Sequence, residues 1–95
     1  MTWQEIRGLY PDRWLVIEAI EAHTRRGHRH IDRIAVLAVC PDGPASLRRY
    51  RELHEALPGR ELYFVSTQRV ELDIEDATAT GTRTAQAYRD AHRHP

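Results

Sequence analysis

The sequence predicts an α+β domain in the order helix, β-hairpin, helix, strand and a further strand (α-β-β-α-β(-β)). The second helix should pack on one face of a small, mainly antiparallel sheet. Three observations carry this expectation. Leu47, Tyr50, Leu53 and Leu57 recur at spacings of three and four, the stripe of an amphipathic helix. Leu62 to Thr67 is an apolar, aromatic and β-branched run of strand length. The runs beginning at Trp14 and Ile31 flank Thr24-Arg25-Arg26-Gly27-His28, a short polar connection holding one glycine, which reads as a hairpin.

Thr2 and Glu5 have capping-box spacing, and Trp3, Ile6 and either Leu9 or Tyr10 then share one face of a short helix. Tyr10-Pro11-Asp12 ends it. Residues 14 to 23 carry two competing periodicities. Leu15, Val16, Ala19, Ile20 and His23 form a helical stripe, whereas Trp14-Leu15-Val16-Ile17 suits a central strand buried on both faces. The hairpin-like connection that follows favours the strand. Asp42 or Gly43 can cap the second helix, Pro44 suits its first turn, and Pro58-Gly59 stops it. Val70, Leu72 and Ile74 alternate with Glu71, Asp73 and Glu75, the pattern of a half-buried edge strand whose outward carboxylates discourage further pairing.

From Ala77 onward large apolar residues almost vanish, so the folded domain is expected over residues 1–76, with a flexible tail or loose helix over 77–95. A chain of 95 residues supplies one modest core. All 14 basic residues are arginine, which excludes any chemistry that needs a lysine amine. Fourteen acidic residues balance them, without the positive excess typical of a dedicated nucleic-acid binder. Cys40 is the only cysteine, so no intrachain disulfide can form. No basic-then-apolar leader opens the chain, and the apolar run Ile34 to Cys40 is too short to span a bilayer. A soluble, cytoplasmic protein with no membrane association and no cofactor is the expectation.

The pattern Tyr10-Pro11-x-x-Trp14-Leu15-Val16-Ile17-Glu18-Ala19-x-Glu21-Ala22, with Asp32-Arg33-Ile34-Ala35-Val36, Arg49-Tyr50-x-x-Leu53-His54 and Arg60-Glu61-Leu62-Tyr63, resembles a group of small uncharacterised bacterial proteins from GC-rich and cyanobacterial genomes. The resemblance covers about residues 1 to 75. It implies the hairpin–helix–strand order and a bacterial source, and it brings no activity and no functional residues with it.

Two constellations in the hairpin connection point to chemistry. Arg25, Arg26, His28 and Arg29 form a basic loop whose guanidinium forks suit phosphate oxygens, making RNA or DNA contact one candidate function. His28, His30 and Asp32 alternate along a strand, so two imidazoles and a carboxylate could face one metal and support a metal-assisted hydrolase. Against the first stands the ordinary polarity of hairpin tips, and against the second the lack of a fourth ligand. The acidic run Glu71 to Asp76 opposes the basic loop in sign and could pair with it between protomers. Cys40, Ser46 and Ser66 lack a nucleophile elbow or an assigned His partner, so no catalytic residue is expected. The leading expectation is therefore a non-enzymatic protein-interaction module, either self-associating or a small partner of another protein.

Overall fold

A computed structural model describes residues 1–75, in the order α1 (Trp3–Leu9), β1 (Trp14–Arg25), β2 (His28–Cys40), α2 (Gly43–Ala56), β3 (Leu62–Ser66) and β4 (Ile74–Glu75). The expected tail over 77–95 lies outside the described residues.

The capping box forms as its spacing requires. The Glu5 backbone N–H donates to Thr2 Oγ1 at 3.2 Å, and the Thr2 N–H donates to Glu5 Oε1 at 2.8 Å. Trp3 and Ile6 are buried, and Tyr10 rather than the exposed Leu9 completes their face. Residues 14–25 adopt the strand alternative. Both hairpin strands run further than the apolar runs suggest, because the turn needs only Arg26 and Gly27. Both residues have positive φ, 53° and 78°, as a two-residue primed turn demands.

The strand order is β3-β1-β2-β4, and every neighbouring pair is antiparallel. Strand β1 is central over its first half, which explains why Leu15, Val16, Ile17 and Glu18 are all buried. Successive residues serve opposite faces. Leu15, Ile17, Ile34, Tyr63 and Val65 pack with Trp3, Ile6, Leu72 and Ile74. Val16, Leu62 and Phe64 pack with Tyr50, Leu47 and Leu53 of α2. Helix α2 therefore covers one face as expected, while α1 and the 72–74 segment close the other. Asp42 is the cap of α2, its Oδ1 accepting the Ala45 N–H at 2.8 Å.

The long alternation at 70–75 is corrected by the structure. Only Ile74 and Glu75 form strand, Val70 is 65% exposed, and Asp73 turns the backbone with φ of 39°. The cause lies in the preceding residues, which α1 captures. The Trp3 indole N–H donates to the Arg69 carbonyl at 3.1 Å, and Arg7 Nε donates to the Thr67 carbonyl at 2.9 Å. The Thr67 hydroxyl is buried, donating to the Tyr10 carbonyl and accepting from the Arg13 N–H. Pinned there, the chain crosses from the β3 edge of the sheet to reach β2 on the opposite edge. It meets β2 only at the pairs Arg29–Ile74 and His28–Glu75.

Candidate functional site

The hairpin end gathers the residues that the sequence singled out, but it divides them. Arg25, at the end of β1, and Arg26, in the turn, are exposed. Arg29 is not available in the same way, because its side chain is only 16% exposed and is engaged by Glu61. Arg29 Nε donates to Glu61 Oε2 at 3.0 Å and Nη2 to Oε1 at 2.8 Å, a bidentate fork. The Tyr63 hydroxyl donates to the same carboxylate, and Arg29 Nη1 reaches Thr24 Oγ1 at 3.3 Å. The guanidinium expected to meet phosphate is thus spent inside the protein.

The proposed metal set is likewise not brought together. His28 Nδ1 lies 3.5 Å from Asp73 Oδ1, whereas Asp32 Oδ2 lies 2.7 Å from Nδ1 of His23. His30 stacks on His23 with ring centroids 5.2 Å apart. Among the described residues, no group of three or more His, Cys, Asp or Glu side chains is arranged to hold a metal ion. His23 is the residue that sequence reasoning overlooked. The signal was the turn length, since a two-residue turn at 26–27 places His23 directly opposite His30.

A cleft of about 650 Å³ lies between this end and the 71–74 segment, lined by Arg25, Arg26 and His28 together with Glu71 and Asp73. The opposed charge patches therefore meet within one chain. The potential that would draw a polyanion to the tip is weakened by these carboxylates.

Two of the three nucleophile candidates, Cys40 and Ser46, are buried. Cys40 is buried, and burial pushes its thiol pKa up despite the opposing pull of Arg49. The Ser46 hydroxyl is buried and donates to the Gly43 carbonyl at 2.7 Å. His54 stacks on Tyr50 at the rim of α2.

A second charge pair ties β1 to the α2–β3 connection. Arg60 donates to both oxygens of the buried Glu18, through Nη2 at 2.7 Å and through Nε. These hydrogen bonds hold the Glu18 carboxyl below the usual carboxylate range. The unfolded chain takes up this proton at higher pH than the folded one. The pair's contribution is thus complete above the ordinary carboxylate pKa and disappears as pH falls through the depressed value. Glu18→Gln is expected to lower Tm at neutral pH, with the difference from wild type shrinking steadily below about pH 4. Parallel thermal melts would reject this if the difference were independent of pH.

The remaining feature is the outer edge of β2. The Ala19 N–H donates to the Glu61 carbonyl and the Thr67 N–H to the Arg13 carbonyl, so odd-numbered residues 13 to 19 of β1 face β3. Trp14, Val16 and Glu18 face β2, where they pair with Cys40, Ala38 and Ala35. A bulge between the Val16 and Ile17 pairs shifts the phase, leaving Ile34, Val36 and Val39 with backbone groups directed away from β1. Ile34 is satisfied by Met1, through an N–H···O bond of 2.7 Å and an amino-group donation of 2.9 Å in return. Val36 and Val39 have no backbone partner among the described residues. The stretch from Ala35 to Cys40 carries no charge, and Val39 is 49% exposed.

Among the described residues no helix is long and apolar enough to cross a membrane. Comparison with protein-family models, curated proteins and solved structures finds no significant match to this chain.

Proposed function

We propose that this protein is a non-enzymatic interaction module that accepts a strand along the outer edge of β2. The observation that carries the reading is the open stretch from Ala35 to Cys40. It is uncharged, partly exposed up to the buried Cys40, and bounded by Met1 on one side and Pro41 on the other. Edges usually carry charge, a proline or a covering element, because unpaired N–H and C=O groups recruit other chains. Among the described residues the protection stops at both ends of the stretch and leaves its middle uncovered. Strand addition would satisfy Val36 and Val39 through main-chain bonds, with apolar side chains selecting the partner.

Amide exchange tests whether this edge is open. At high dilution the Val36 and Val39 amides should exchange orders of magnitude faster than those of Ala35 and Ala38, which face β1. Equal protection of the two pairs would mean that the edge is already covered and would overturn the proposal. The reading is preferred to nucleic-acid contact because the basic hairpin end is compensated by Glu61, Glu71 and Asp73.

A further inference from the structure

We infer that the strand added at this edge is the same edge of a second copy of the chain, forming a twofold antiparallel β2–β2 seam. The inference rests on the edge reading above and adds the identity of the partner.

Self-pairing of a regular strand about a twofold axis requires outward-facing residues to meet outward-facing residues. The bulge in β2 makes the outward set Ile34, Val36, Val39 and Pro41, which is symmetric about the midpoint between Leu37 and Ala38. Val36 of one copy therefore meets Val39 of the other, and the two equivalent pairs exchange main-chain hydrogen bonds. The accessible window has the same centre. Met1 closes it at Ile34, and Pro41, which has no N–H to donate, closes it at the other end. Among the described residues, Ala35 to Cys40 is thus both the segment whose outer edge is uncovered and the segment that a symmetric partner can pair with.

Charge agrees with this register. No charged residue falls inside the window, so self-pairing places no like charges opposite one another. Beyond it, Arg33 of one copy lies beside Asp42 of the other at both ends of the seam. The half-exposed Val39 is covered by the pairing. A seam this short buries little area, so association should be weak and concentration-dependent rather than obligate.

The test uses the full chain in light scattering after size exclusion, across micromolar to sub-millimolar concentrations, with residue-resolved amide exchange. The mass should rise from 11.1 kDa toward twice that value as concentration increases. The Val36 and Val39 amides should gain protection over the same range. Val39→Pro removes an outward donor while leaving the bonds to β1, and should remain monomeric with unchanged far-ultraviolet dichroism. Val39→Thr keeps the N–H and should still dimerise. If Val39→Pro fails to fold, the concentration dependence of the wild-type amides decides alone.

A wild-type monomer whose two amides exchange freely throughout would overturn the second copy and leave the open edge standing. A monomer whose amides are protected even at high dilution would place another segment of the same chain on the edge, overturning both. A doubled mass without added protection at Val36 and Val39 would put the interface elsewhere and overturn the inference.

Discussion

Ile17→Ala is expected to destabilise the domain by about 3–4 kcal/mol, a cavity-forming loss on the central strand. Ile17 is fully buried in one cluster with Leu15, Ile34, Tyr63, Trp3 and Ile6. A domain of this size commonly has a total stability of about 5–10 kcal/mol, so the variant should unfold early in a denaturant titration. The control is Ile20→Ala. Ile20 is 42% exposed at an irregularity in the β1–β2 register, and its truncation should change stability by less than about 1 kcal/mol. The comparison also separates the two readings of residues 14–23. A helical stripe would bury Ile20 and expose Ile17, so equal or inverted losses in urea midpoint would contradict the strand.

Glu61→Ala is expected to lower stability by about 2–4 kcal/mol, because it removes both forked bonds from a mostly buried guanidinium. It also removes the acceptor of the Tyr63 hydroxyl, which lies under the same face of the sheet. A double-mutant cycle with Arg29→Ala should return a coupling of at least about 1 kcal/mol. A value near zero would class the pair with exposed surface salt bridges. Loss of Glu61 also releases the Arg29 side chain beside Arg25 and Arg26, raising the positive potential of the hairpin end.

The parts of the fold that the sequence made legible are those governed by short-range rules. The Thr2–Glu5 capping box, the Leu47–Tyr50–Leu53 stripe and the stop at Pro58-Gly59 each depend on residues within a few positions. The choice of strand for residues 14–23 already needed the neighbouring run, since Trp14 to Ile17 is compatible with either period. Val70 to Ile74 misled because its alternation is sound locally, while the deciding contact comes from Trp3, 66 positions earlier. The arrangement of the hairpin-end residues was illegible for the same reason. Arg29 is neutralised by a residue 32 positions away, and Asp32 is turned toward His23 by a cross-strand register that composition does not reveal. The outward direction of Val36 and Val39 depends on a bulge, which the uniform run Ile34 to Cys40 gives no reason to expect.

The position of β1 at the centre of the sheet has a consequence for synthesis. Its first neighbour, β2, ends at Cys40, but its second, β3, is complete only at Ser66. At about 5–20 residues per second, roughly 1–5 s pass between those points, whereas a hairpin forms in about 1–10 μs. A β1–β2 ribbon formed in that interval has Leu15, Val16 and Ile17 without the strand neighbour that β3 later supplies. During that interval both edges of the ribbon are uncovered, and the arrival of β3 covers the one on β1.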